Sequence, residues 1–166
     1  MSGMMISFDV GESMRFNFRS AGFVVVDGRV LFQRFADRDW WFLPGGRVEM
    51  QEDSHAAVAR ELAEEYGWRV KDRKLKLVVE NFFRLDGRDF HEIGMYYLIE
   101  PEDRVRPVDG EFAGREENLV SKWNGIGELE RHHIVPPFLR DAALFEEILS
   151  SDTVEHLICR GRERTR

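Results

Sequence analysis

Residues 46–68 read GRVEMQEDSHAAVARELAEEYGW. Between Asp53 and Gly67 the small and apolar residues Ala56, Ala59, Leu62, Ala63 and Tyr66 recur every three or four positions, which predicts an amphipathic helix. Asp53 or Ser54 caps its start, and Gly67 ends it in a left-handed conformation. At about 100° per residue, Glu61, Glu64 and Glu65 fall within roughly a 100° arc, so three carboxylates share one face of the helix. Like charges one turn apart repel, and the negative end of the helix dipole adds to the cost. A bound cation would reverse the sign. Ligands that are all oxygen, without cysteine or histidine, suit a hard ion such as Mg²⁺, with Mn²⁺ as second candidate.

Outward from this helix, Pro44-Gly45-Gly46 must end any regular element, and the run Trp40-Trp41-Phe42-Leu43 before it reads as a short strand. Residues 16–26 and 29–35 form a predicted hairpin across Asp27-Gly28, and residues 75–84 and 90–100 another across Asp86-Gly87. A polar stretch, residues 101–118, reads as a long loop before a short strand at 119–123. Pro136-Pro137 opens a second predicted helix with the apolar stripe Phe138, Leu139, Ala142, Ala143, Phe145 and Ile148. Residues 154–159 add a last strand, followed by a tail too charged to bury.

Gly46, Glu52, Arg60, Glu61, Glu64, Glu65 and Gly67 stand at the offsets of the pattern G-x5-E-x7-R-E-U-x-E-E-x-G-U, and the stretch resembles the signature of the Nudix (MutT-like) hydrolases. With each position matched by chance at roughly 5–10%, the coincidence is expected on the order of once in a million chains of this length. The last position, usually aliphatic in the family, holds Trp68.

The resemblance implies an α/β fold, a Nudix-type α/β/α sandwich with a mixed β-sheet, and the length of 166 residues predicts a single domain over residues 1–166. It implies a metal held by Glu61, Glu64, Glu65 and a backbone carbonyl of Gly45 or Gly46, with Arg60 orienting the carboxylates. The implied chemistry is Mg²⁺-dependent cleavage of a phosphoanhydride bond in a nucleoside di- or triphosphate or another nucleoside diphosphate derivative. Glu61, or an additional acid from the Glu116-Glu117 pair, is the expected base. The fold also serves as a non-catalytic nucleotide-binding regulatory module, a class expected to have lost the glutamates that this chain keeps. An isomerase of the isopentenyl diphosphate type would need a catalytic cysteine, and Cys159, the only one, is poorly placed for that.

Outside the motif, Arg34 and Arg38 are candidate bidentate donors to phosphate, with surface solvation as the competing role. Trp40 and Trp41 are candidates for stacking on a base, and strand alternation sends the two rings to opposite faces. His91, His132 and His133 lie in no motif and are expected to be structural or exposed. The run Asn81-Phe82-Phe83-Arg84-Leu85-Asp86 lacks the proline of ADP-ribose-type members and the tyrosine of dinucleoside polyphosphate types, which leaves a nucleoside di- or triphosphate as the expected substrate.

The formal net charge is −7, from 24 Lys+Arg against 31 Asp+Glu, which argues against a surface built on duplex nucleic acid. A small anionic nucleotide remains compatible, because a bound cation or a local arginine cluster reverses the field in one cleft. Hydrophobic content of 43% without a long apolar run excludes a membrane-spanning helix, and a homodimer stays open. The first residues lack a basic segment followed by an apolar stretch, and one cysteine forms no intrachain disulfide, so a cytoplasmic location is expected.

Overall fold

In a computed structural model, which describes residues 3–164, the chain runs β1 (Ser7–Val10), β2 (Met14–Val26), β3 (Arg29–Phe35), β4 (Gly45–Arg47), α1 (Ser54–Tyr66), β5 (Val70–Leu85), β6 (Arg88–Pro101), β7 (Glu111–Ala113), β8 (Leu119–Gly125), α2 (Ala142–Ser150) and β9 (Glu155–Arg164). The strands join in one mixed sheet in the order β7-β8-β3-β2-β6-β5-β9, with β1 and β4 paired to β2. The central pair β2–β6 and the outer pair β5–β9 are parallel, and the other pairings are antiparallel. Among the described residues no helix is long and apolar enough to cross a membrane.

Both Asp-Gly pairs make two-residue hairpin turns, with φ of 51° and 70° at Asp27 and Gly28 and 49° and 78° at Asp86 and Gly87. The two hairpins then behave differently. Strands β5 and β6 stay paired along their length, whereas β2 and β3 pair only at Val25–Val30 and Val26–Arg29 before parting. Residues 42–47 fill the gap: Phe42 exchanges backbone hydrogen bonds with Gln33 on β3, and Gly45, Gly46 and Arg47 pair with Ala21, Ser20 and Arg19 on β2. This corrects two expectations. The run 40–43 makes isolated bridges and no named strand, and the glycines expected to end regular structure form β4. Gly45 has φ 137°, and a Cβ there would lie 2.2 Å from the Ser20 carbonyl oxygen, so the close approach of β4 to β2 requires a residue without a side chain.

Strand alternation divides the core in two. Phe23, Phe32, Leu77, Val79 and Tyr96 pack on one face with Phe145 and Ile148 of α2. Val24, Leu31, Tyr97, Ile99 and Trp123 pack on the other with Val58 and Leu62 of α1. This is the α/β/α layering that the resemblance implied.

Asp53 caps α1 by accepting from the Ala56 amide at 2.7 Å, and Gly67 closes it at φ 73°. The buried face differs from the expected one: Ala57, Val58, Glu61, Leu62 and Glu65 turn inward, and Ala56 and Ala63 are exposed. Trp68 stacks on Tyr66, their ring centroids 4.6 Å apart, so the aromatic ring fills a packing position. The second helix starts later than expected, because Pro137–Arg140 form a separate 3₁₀ turn and Asp141 caps α2 through the amides of Ala143 and Leu144. The expected long loop contains β7, β1 was not foreseen, and β9 continues to Arg164 along β5.

Phe145→Ala, which removes an edge-to-face contact with Phe23 at 5.1 Å, is expected to cost about 3–5 kcal/mol of stability. Ile158→Ala, at a position 62% exposed, is expected to change it by less than about 0.5 kcal/mol. Urea denaturation of both variants checks this packing, and equal losses would contradict it.

Candidate active site

Where β2 and β3 part, a cavity of about 350 Å³ opens, lined by Glu61 and Glu65 of α1, by β4, by Asn17 and Arg19 of β2, by Gln33 and by Glu116. Its floor is thus the split sheet and its rim the buried face of α1.

Glu61 lies against Gly46: a Cβ on that glycine would fall 2.2 Å from Glu61 Oε1. Arg60 donates to Glu61 at 2.9 Å, to Glu52 at 2.8 and 3.0 Å, to Glu64 at 3.2 Å and to the Arg47 carbonyl at 3.1 Å. One guanidinium therefore binds three carboxylates and ties the helix to β4. Its hydrogen bonds hold the Glu52 carboxyl below the usual carboxylate range, while burial pushes Glu61 up against the pull of Arg60.

Glu65 is 3% exposed, and its Oε1 accepts from Gln33 Nε2 at 2.8 Å. The Gln33 Oε1 accepts from the Tyr66 hydroxyl at 2.7 Å, and that hydroxyl meets Ser121 Oγ at 2.8 Å. This relay fixes which oxygen of Glu65 is engaged and leaves Oε2 buried without a hydrogen-bond partner. Burial pushes the Glu65 carboxyl up to about 8, with nearby Glu61 adding to the effect against the Gln33 bond.

The expectation that Glu61, Glu64 and Glu65 share one face is met by two of the three. Glu61 and Glu65 differ by about 40° around the helix and both turn inward, while Glu64, about 100° from Glu65, falls on the water side. Among the described residues no three Asp, Glu, His or Cys side chains gather in a metal-holding group. The site nevertheless suits a hard cation: an orphaned buried carboxylate oxygen on Glu65, Glu61 in a hollow that a Cβ would fill, and donors that are all oxygen.

Positive charge enters from residues the sequence reading passed over. Arg19 donates to the Leu43 carbonyl at 2.9 Å and lies 5.4 Å from the Phe42 ring centroid. Arg47 lines the cavity half-buried, with no ion pair to another described residue, and burial beside Arg15 and Arg19 lowers its pKa. Arg34 and Arg38 are placed elsewhere. Arg34 pairs with Glu111 and lies over Trp41, and Arg38 pairs with Asp86, so neither lines the cavity. Trp40 lines it beside Phe42, while Trp41 is buried in the α2-side core, in agreement with alternation. Of the two loop acids, Glu116 lines the cavity and Glu117 does not. His91, His132 and His133 stand outside it, as does Cys159. Asn17, Gln33 and Glu92 were also missed; each is a polar residue at an inward strand position, which is itself a signal.

The NUDIX domain description matches residues 17–140, and the chain belongs to this family, the Nudix hydrolases. Members of the family generally use divalent metal ions. Over 65 residues the chain is 48% identical to a MutT-like protein of Streptomyces ambofaciens, covering 39% of this chain and 42% of that protein. Over 83 residues it is 39% identical to a putative 8-oxo-dGTP diphosphatase 2 of Mycobacterium tuberculosis, covering 50% and 57%. The matched stretches span about half the length of these relatives. Among solved structures, a MutT protein of Bacillus halodurans is similar with a TM-score of 0.58 at 24% identity, over 84% of this chain and 89% of that one. At that identity the likeness establishes the fold.

Because Glu52 ionises more readily in the folded chain than at its ordinary value of 4.5, its ion pair contributes stability above that pH and loses it as pH falls through the lower folded value. Glu52→Gln is therefore expected to be less stable than the parent at pH 7 and to converge with it at acid pH. Urea titrations at both pH values check the sign, and a gap that widens on acidification would refute it.

Proposed function

We propose that this chain is a magnesium-dependent pyrophosphohydrolase that cleaves a phosphoanhydride bond of a nucleoside di- or triphosphate. The observation that carries the reading is the pairing of opposite charges in one cavity. Glu61 and Glu65 stand at one wall, with a free oxygen on Glu65, and Arg19 and Arg47 at the adjoining one. Glu61 and Glu65, with a carbonyl of Gly45 or Gly46, would hold Mg²⁺, and Glu64 lies within reach of Arg60 at the rim. A bound magnesium ion would supply neutralisation of the diphosphate charge.

Arg60 orients Glu61 by ion pairing, and Gln33 orients Glu65. Arg19 and Arg47 are the cations that meet phosphate oxygens, in place of Arg34 and Arg38. Glu116, in the cavity wall, is the acid outside the helix that would accept the proton of the attacking water; Glu117 is the less suited of the pair. Trp40 and Phe42 offer ring faces to a base. The relatives named as 8-oxo-dGTP diphosphatases make an oxidised guanine nucleotide the first substrate to assay.

Hydrolysis is expected to stop in excess chelator and return with Mg²⁺. Glu61→Gln and Glu65→Gln should each lower kcat by about 10²–10⁴-fold, and Glu116→Gln should lower it more than Glu117→Gln. Release of phosphate or pyrophosphate from a nucleotide panel reads all of these. Full turnover in chelator, or parental kcat in both motif variants, would overturn the reading.

A further inference from the structure

The sheet supplies a ruler for the cavity. Along β2, Ser20 pairs with Gly46, Arg19 with Arg47, and Asn17 with Glu92 on the opposite neighbour β6. The last pair lies three residues beyond the first, roughly 10 Å at 3.3 Å per residue. That is comparable to the distance from a nucleotide's outer phosphates to its base.

Asn17, Glu92 and Asn81 form one row across β2, β6 and β5, since Glu92 pairs in register with both of the others. The three side chains are 5%, 8% and 1% exposed. The next row places Phe83 against Phe90, stacked at 4.8 Å with 5° between the rings, and both rings line the same cavity. A polar row thus borders an aromatic one on the floor of the cavity.

The hydrogen bonds of the polar row have a direction. Arg15 Nε donates to Ser7 Oγ at 2.9 Å, so the Ser7 hydroxyl proton goes to Asn17 Oδ1 at 2.6 Å and the Asn17 amide N–H groups remain as donors. Among the described residues Glu92 makes one long hydrogen bond, 3.5 Å from Asn81 Nδ2 to Oε1, and it meets the charge of Arg47 without an ion pair. A buried carboxylate so weakly satisfied is costly unless a ligand completes it. Side by side, then, the floor offers one N–H donor and a two-oxygen acceptor.

We propose that Glu92, with Asn17, is the specificity determinant that reads the substrate's base, and that it selects a ring of the guanine type. Such a ring presents an oxygen acceptor, a ring N–H and an exocyclic amino group along one edge. Asn17 donates to the oxygen, and the Glu92 carboxylate accepts both N–H groups in charge-assisted bonds. Adenine presents a ring-nitrogen lone pair where guanine has its N–H, a C–H in place of the exocyclic amino group and an amino donor in place of the oxygen, so both carboxylate oxygens and the Asn17 donor lose their partners. The proposal rests on the pyrophosphohydrolase reading only in that the base belongs to the substrate whose phosphates lie at Arg19 and Arg47.

The experiment compares dGTP, dITP and dATP as substrates, and dGMP, dIMP and dAMP as ligands by calorimetry, in the parent and in Glu92→Gln. In the parent, kcat/KM should fall by about 10-fold from dGTP to dITP, which lacks only the exocyclic amino group, and by about 100-fold or more to dATP. In Glu92→Gln the dGTP preference over dATP should shrink by about 100-fold, with binding of the monophosphates following the same order. The parental comparison needs no variant, so a poorly folding Glu92→Gln leaves the test intact. Equal turnover of the three triphosphates keeps the enzymatic reading and overturns the inference. Guanine-selective binding without turnover does the reverse. A Glu92→Gln loss that follows the sugar 2′-hydroxyl, tested with GTP against dGTP, also overturns it.

Discussion

Glu61 and Glu65 are held out of water on the face that α1 turns toward the sheet, and the rest of the site is arranged around the cost of doing so. Desolvating a carboxylate costs several kcal/mol unless partners replace the lost water. Glu61 has Arg60 and a hollow that exists because Gly46 lacks a side chain. Glu65 has one oxygen bonded to Gln33 and the other unbonded, and burial, against the pull of the Gln33 bond, pushes its carboxyl up to about 8. A cation beside these two groups would favour their ionised forms, reversing the direction in which burial moves them. A site that is strained alone and relaxed with a cation is what a metal-dependent centre requires.

The divergence of β2 from β3 makes that centre accessible. A continuous hairpin would have filled this part of the sheet with paired backbone, whereas the inserted residues 42–47 keep both strands satisfied while opening a floor between them. Because side chains alternate along β2, the residues that face the floor, Asn17, Arg19 and Ala21, form a graded series. Ala21 is small beside β4, Arg19 is cationic, and Asn17 is a neutral donor.

Much of this was legible in the sequence, for local reasons. The capping aspartate, the closing glycine and the glutamate spacing define α1 without reference to the rest of the chain, and the two Asp-Gly turns define both hairpins. What escaped depended on distant residues. Two glycines carry no apolar signal, so the pairing of β4 with β2 is visible only once Ser20 and Ala21 are opposite them. The small alanines of the helix suggest one inward face, whereas Glu61 and Glu65 take the inward side with Ala57, Val58 and Leu62. Arg34 and Arg38 are candidates for phosphate by position in the chain, but Glu111 and Asp86, remote in sequence, capture them. The choice of Glu116 over Glu117 is set by a loop path that no periodicity encodes.

The parallel pairing of β2 with β6 has a consequence for how the molecule comes into being. Hairpin β5–β6 closes over a two-residue turn, a contact with little loop entropy to overcome, whereas β2 must find β6 across the length of chain that contains α1. Asn17 and Glu92, Arg19 and Gly94, Ala21 and Tyr96 become neighbours only in that late step. No fragment ending before β6 holds the whole floor of the cavity, so a ribosome-bound chain carries its acidic helix complete while Glu92 and Phe90 have yet to be synthesised.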